Sequence, residues 1–293
     1  MIIEGKPKGS ITNFFSLVKF SHTIFAMPFA LIGYFFAIKH EGYGFSWLSF
    51  ILVILCMVFA RTAAMAFNRY VDREIDLNNP RTALREIPAG IIRPRSALQL
   101  VILSSIFFMA CTWFINPLVF KLSPLAILIV LGYSFTKKFT SLSHFILGLG
   151  LSLAPIGAYL AITARFDLIP MLYSLVVLLW VGGFDIIYAL QDEDFDKNEQ
   201  LKSIPVWLGR KHAMLFSSIV HLLAAVFVVL AGFIAGFGWI YWIGSAIFIG
   251  LLTYQHLILK PNDISRLNVA FFTTNGLASI IFAAFVIAQI YLG

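Results

Sequence analysis

Residues 47–76 read WLSFILVILCMVFARTAAMAFNRYVDREID. The first part, Trp47 to Phe67, is a run of about twenty mostly apolar residues, long enough for a helix to cross ~30 Å of hydrocarbon. The second part turns polar at once: Asn68, Asp72 and Asp76 recur at i, i+4 and i+8. On a continuing helix these three side chains share one face over roughly 12 Å. Oxygen-bearing side chains aligned at the end of a membrane helix suit Mg²⁺. That ion prefers octahedral oxygen ligands, keeps several waters, and typically takes one or two carboxylates plus substrate phosphates. The plain alternative is a solvated helix end with local Asp–Arg pairs, which form cheaply on surfaces.

Composition fixes the class around this stretch. Hydrophobic residues make up 60% of the 293 and charged residues only 12%, about half the charge of an ordinary soluble protein. Mean hydropathy is +0.91. The expectation is an all-α, polytopic membrane protein forming a single domain over residues 1–293. Cys56 and Cys111 both lie in apolar runs and give neither a disulfide framework nor metal spacing. No cleavable signal is expected, because Met1–Ser10 is polar and the first apolar run lacks a small-residue cleavage site.

Nine apolar segments are long enough, or nearly so, to span. They lie near 20–38, 47–67, 97–115, 118–135, 142–163, 168–190, 213–235, 238–259 and 268–291. The third and fourth meet at Asn116-Pro117, which predicts a tight hairpin. Placing the N-terminus in the cytoplasm puts 17 of the basic residues on the inner side and leaves only Lys39, Lys121 and Arg165 outside. The positive-inside rule selects this orientation. The net charge of +7 is then a membrane-orientation signal. No basic block interleaved with aromatics points to nucleic acid.

The longest inner loops follow the second and sixth spans, and both are acidic. The later one begins within Asp185-Ile-Ile-Tyr188-Ala-Leu-Gln-Asp192-Glu-Asp-Phe-Asp196. Tyr188, Asp192 and Asp196 repeat the i, i+4, i+8 spacing, and Asp185 falls on the same face. Asp72 to Asp192 is 120 residues, as is Asp76 to Asp196. A duplicated four-helix unit would explain this, although the rest of the sequence carries little internal similarity. A diphosphate binds carboxylates only through bridging cations. Two facing aspartate clusters can hold two Mg²⁺ ions, which clamp it and stabilise charge on the departing group. Arg81, Arg85, Lys137, Lys138 and Lys202 are basic residues on the same side.

Asn68-x-x-x-Asp72-x-x-x-Asp76, Tyr133-x-x-x-Lys137 and Asp185-x-x-Tyr188-x-x-x-Asp192-x-x-x-Asp196 together resemble the motifs of the UbiA superfamily of membrane prenyltransferases. His22-Thr-Ile-Phe-Ala-Met-Pro and Arg85-Glu-Ile-Pro-Ala-Gly look closest to its bacterial 4-hydroxybenzoate polyprenyltransferase-like branch. The resemblance implies nine transmembrane helices bundled around a central cavity in the plasma membrane, with the active site facing the cytoplasm. It implies Mg²⁺-dependent transfer of a polyprenyl group from its diphosphate to an aromatic acid in quinone biosynthesis. The acceptor would be 4-hydroxybenzoate, for ubiquinone, or alternatively a dihydroxynaphthoate, for menaquinone. Carried over by motif, Asp72, Asp76, Asp192 and Asp196 bind Mg²⁺-diphosphate. Asn68, Arg85, Lys137 and Lys202 assist at the diphosphate, Tyr133 and Lys137 act beside it, and Asp185 and Tyr188 line the acceptor side. The chain departs from the commonest pattern at Arg69, where many members carry Asp. It departs again at Leu84 and Glu86, where Asn and Pro are frequent.

His22 and Arg61 lie inside apolar spans, where ionisable groups are functional hypotheses by default. Arg61 is seven residues before Asn68, two turns away and roughly 10 Å deeper on the same face. Its guanidinium could hold an acceptor carboxylate bidentately, or instead satisfy helix carbonyls; His22 could pair with the same ligand or with a backbone carbonyl. A rival from another class is an ion-coupled transporter, which would also use intramembrane charge. Transporters, however, place such groups near the midplane, whereas here the acids gather at one surface.

Overall fold

The computed structural model describes residues 11–18 and 25–293. Helices account for nearly all of that length. Among the described residues no strand forms, and one isolated antiparallel bridge pairs Lys260 with Asp263. A short α1 (Ile11–Val18) precedes α2 (Met27–His40), α3 (Trp47–Val71) and α4 (Arg73–Asn78). Next come α5 (Pro94–Ile115), α6 (Pro117–Thr136), α7 (Ser143–Thr163) and α8 (Leu168–Ala189). After α8 the chain makes a 3₁₀ turn at Leu190–Asp192, then α9 (Glu193–Asn198) and α10 (Ile204–Leu208). The remainder is α11 (Arg210–Ile234), α12 (Trp239–Leu257), a π-helical turn at Val269–Thr274 and α13 (Asn275–Leu292).

Local chemistry sets these boundaries. Ser46 accepts from the Ser49 N–H at 3.4 Å to start α3, and Asp167 accepts from Ile169 at 3.0 Å to start α8, as short polar side chains do at helix N-termini. The predicted α5–α6 hairpin is present. Asn116 caps α6 through the Val119 N–H at 3.0 Å, and its amide donates to Leu160 and Ala161 carbonyls, pinning the hairpin to the end of α7. Pro94 and Pro117 open α5 and α6, where a missing N–H costs nothing.

Seven helical stretches among the described residues are long and apolar enough to cross a membrane: α3, α5, α6, α7, Leu168–Asn198, α11 and Val269–Leu292. The two other predicted segments, near 20–38 and 238–259, fall on α2 and α12. Described α2 has 14 residues, about 21 Å of helix, and α12 carries Gln255 and His256 in its last turn. Large apolar side chains such as Ile106, Leu128, Leu222 and Phe233 cover the outside of the bundle, a surface only lipid would tolerate at this extent. The protein is an integral membrane protein.

The bundle has two unlike halves. Helices α2, α8, α11, α12 and α13 close around Phe29, Trp180, Phe248 and Phe282, all fully buried. Close approaches tighten α7 on α8: a Cβ added at Gly148 would fall 2.4 Å from the Leu178 carbonyl oxygen. On the other side α3, α5, α6 and α7, with one face of α8, leave a cavity of about 610 Å³.

Candidate active site at the polar end of the cavity

Both acidic clusters line this cavity, at one end of it. Neither sits on the continuous helix that its spacing predicts. α3 stops at Val71, and Asp72 is a junction (φ −86°, ψ 2°) from which α4 resumes. The second cluster breaks at the matching place, with Asp192 at φ −104°, ψ 4° between the 3₁₀ turn and α9. Each middle aspartate thus occupies the sparsely populated bridge region, where active-site residues often sit. The i, i+4 spacing survives the first break, because Asp72 N–H bonds to Asn68 O and Asp76 N–H to Asp72 O, at 2.9 and 2.7 Å. α3 also runs past Phe67, so Asn68 and Arg69 belong to its last turn rather than to a loop.

Asn68 donates to Asp72 Oδ2 at 2.9 Å. Asp76 Oδ1 accepts from Arg85 Nη1 at 2.6 Å. Across the cavity, Arg81 forks onto Asp192, with Nε to Oδ1 at 2.9 Å and Nη2 to Oδ2 at 2.6 Å. Asn79 adds a bond to Asp192 Oδ1 at 3.2 Å. Buried Asp196 bonds the Ser203 hydroxyl. Lys137, at the end of α6, faces both Asp72 and Asp196 and so stands between the clusters. Burial pushes the Asp72 carboxyl above its ordinary value, while Lys137 pulls it back.

Two carboxylate oxygens, Asp72 Oδ1 and Asp76 Oδ2, are buried without a hydrogen-bond partner. Orphaned carboxylate oxygens are costly and fit a cation. No group of three His, Cys, Asp or Glu among the described residues could enclose an ion alone. The donor set therefore fits an ion that takes one or two carboxylates and completes its shell with phosphate oxygens and water, as Mg²⁺ does.

The remaining predicted residues separate cleanly. Tyr133, Arg61, Asp185 and Tyr188 line the cavity with the acids. Arg61 is half-buried, its Nε lacks a partner, and Tyr133 and Arg69 are its electrostatic neighbours. Tyr188 stacks on Phe271 of the π turn at 4.0 Å between ring centres, and Arg81 reaches its hydroxyl at 3.4 Å. Lys202 is not in the lining: its ammonium donates to Phe139 O at 3.1 Å, tying the loop after α9 to the loop after α6. His22 lies outside the described residues.

Sequence reasoning missed His144. Its Nδ1–H donates to Asp185 Oδ2 at 2.7 Å and its Nε2 accepts the Ile204 N–H at 3.3 Å. These two bonds fix one neutral tautomer and clamp Asp185 to α10. A histidine in the first turn of an apolar helix was the available signal.

From its polar end the cavity continues between apolar side chains, among them Met57, Phe108, Ile129 and Leu151, as far as Leu160 and Phe166 at the opposite end of the helices. A cavity with charged groups at one end and apolar walls beyond has the shape and chemistry to take a lipid with an anionic head. The profile of the UbiA prenyltransferase family matches residues 26–277, and the chain belongs to that family: it is a membrane prenyltransferase. It is 31% identical over 240 residues to a 4-hydroxybenzoate octaprenyltransferase of Aliivibrio fischeri, covering 81% of this chain and 83% of that one. A 4-hydroxybenzoate octaprenyltransferase of Shewanella halifaxensis is 28% identical over 235 residues, 80% of this chain and 82% of that one. Among solved structures, the apo form of a UbiA homolog from Aeropyrum pernix K1 superposes with a TM-score of 0.81 at 32% identity, covering 91% of this chain and 97% of that one. A UbiA homolog from Archaeoglobus fulgidus bound to GPP and Mg²⁺ shares the fold, at TM-score 0.71 and 20% identity over 96% of this chain and all of that one.

Proposed function

We propose that this protein transfers a polyprenyl group from polyprenyl diphosphate to an aromatic acid, 4-hydroxybenzoate, in quinone biosynthesis. The carrying observation is that two aspartate clusters 120 residues apart converge on one end of a cavity whose remainder is apolar. The names of the curated relatives support the acceptor, and the A. fulgidus structure supports the donor class and the ion.

Asp72, Asp76, Asp192 and Asp196 would hold Mg²⁺. When bound, the ion neutralises charge on the departing diphosphate. Lys137, Asn68 and Arg85 bind and orient the diphosphate from the protein side. The allylic C–O bond breaks and the diphosphate keeps the electron pair. The ring carbon ortho to the phenol then bonds to the allylic carbon and loses its proton. Arg61, deeper on the α3 face, holds the acceptor carboxylate beneath the diphosphate, with Tyr133 beside it. Asp185 and Tyr188 form the facing wall. The protein works in the plasma membrane with nine spans, its N-terminus and acidic end cytoplasmic, because the basic residues lie overwhelmingly on that side.

The test is mass spectrometry of products from membranes supplied with a prenyl diphosphate, Mg²⁺ and a panel of aromatic acids. The expected product is prenylated 4-hydroxybenzoate. Prenylation of a dihydroxynaphthoate alone would move the acceptor to the menaquinone branch. Absence of any prenylated aromatic, with ion flux instead, would refute the reading.

A further inference from the structure

Arg69 has no part in the function proposed above. On α3, Arg61, Met65, Asn68 and Arg69 follow one another at i, i+4, i+7 and i+8 and all line the cavity, as one helix face does. Arg69 is 4% exposed. A guanidinium carries five N–H donors, and its Nε finds no partner. Its nearest carboxylate oxygen, Asp76 Oδ2, is 4.0 Å from Nη1, beyond hydrogen-bonding range. Asp76 is already engaged, since its Oδ1 receives Arg85 at 2.6 Å. One carboxylate therefore stands between two guanidinium groups. Glu86, the other acid near Arg69, is bonded by the Ser16 hydroxyl and does not line the cavity. A residue whose task was to fix Asp76 would hydrogen-bond it, and Arg85 does that instead. A buried cation with spare donors and a like-charged neighbour calls for an anion.

We propose that Arg69 is a second guanidinium contact for the diphosphate, which settles between Arg69 and Arg85 beside Asp76. This rests on the prenyl diphosphate reading above. A phosphate-type oxyanion matches the planar fork of each guanidinium and supplies the charge that Asp76 alone cannot. In this chain the first cluster thus offers both a carboxylate face for a cation and a guanidinium face for the anion that the cation carries.

The experiment uses the full-length protein in lipid nanodiscs. Calorimetry measures binding of inorganic pyrophosphate at saturating Mg²⁺, and electron paramagnetic resonance measures Mn²⁺ binding without pyrophosphate. Arg69→Leu should weaken pyrophosphate about tenfold or more, the scale of a lost charge-assisted bond, with Mn²⁺ affinity unchanged or tighter. Arg69→Lys should lose less, and Arg69→Gln, which keeps donors without charge, should lose as much as Leu. The Lys and Gln variants decide the question if Leu prevents folding. Wild-type pyrophosphate affinity in the Gln variant overturns the inference, as does a parallel loss of Mn²⁺, which would make Arg69 a support for Asp76. If the wild type itself binds no Mg²⁺-pyrophosphate, the underlying reading falls. If it binds, and Asp192→Asn abolishes binding while the Arg69 variants do not weaken it, this inference alone falls.

Discussion

Asp72 and Asp192 occupy equivalent breaks at the cavity mouth, and the first prediction follows from their position. Asp72→Asn or Asp192→Asn should lower Mg²⁺-dependent diphosphate release by ~100-fold or more, the scale of losing a major electrostatic contributor, in protein that stays folded. Near-normal turnover in either variant at limiting Mg²⁺ would sink the two-cluster site. Arg61 is tested by its ligand. Arg61→Leu should raise KM for the aromatic acid and leave KM for the prenyl diphosphate nearly unchanged. Arg61→Lys should recover only part, because an ammonium lacks the bidentate fork. Equal impairment with the carboxylate-free phenol would make Arg61 structural. What was legible among these residues was what a helix repeats. The acids, Tyr133 and Lys137 announced themselves by i, i+4 spacing. His144 and Asn79 did not, because their partners Asp185 and Asp192 lie 41 and 113 residues away in sequence. Lys202 shared the right side of the membrane with the site, but a backbone carbonyl took its ammonium.

At the scale of elements, hydropathy located the spans and capping chemistry their ends. The breaks were hidden. Nothing in Val71-Asp72-Arg73 or Gln191-Asp192-Glu193 forbids helix, yet both middle aspartates leave it. The π turn at Val269–Thr274 was equally silent. Asn275 sustains it by donating to Ala270 and Phe271 carbonyls at 3.0 and 3.1 Å, five and four residues back. That turn sets Phe271 against Tyr188 at the cavity wall, so a local irregularity shapes the site, as π turns often do. The contact between α7 and α8 matters as much, because α7 carries His144 and α8 carries Asp185. Gly148→Ala should press a methyl into the Leu178 carbonyl and cost about 1–3 kcal/mol. Thermal unfolding in detergent should show a lowered Tm, with diphosphate release falling too if the helices separate. A variant as stable as the wild type would mean that α8 can slide to make room.

The acidic clusters and most of the basic residues lie at one end of the molecule, and exposed tryptophans stand at both ends, Trp207 of α10 at the acidic one. Exposed Trp47, Trp113 and Trp239 sit at the start of α3, the end of α5 and the start of α12, ends facing away from the aspartates. Indole rings favour the membrane–water interface, so these mark the boundary opposite the site. The basic residues crowd the site's own end, and withdrawing Arg69 into the cavity barely alters that imbalance. If the acidic end takes a charged substrate it must open to the compartment that supplies it, and the positive-inside rule predicts that this is the cytoplasm. Surface cysteines can read this directly in a background lacking Cys56 and Cys111. Leu84 is 86% exposed and Asn198 is also exposed; they flank the two clusters on separate loops. Gly44 is exposed before α3, beside Trp47. Leu84→Cys and Asn198→Cys should react with an impermeant maleimide only when the inner face is open, and Gly44→Cys only from outside. If Leu84→Cys and Asn198→Cys react from opposite faces, the clusters cannot share one cavity. If both react from outside while Gly44→Cys reacts from inside, the fold stands and its orientation is reversed.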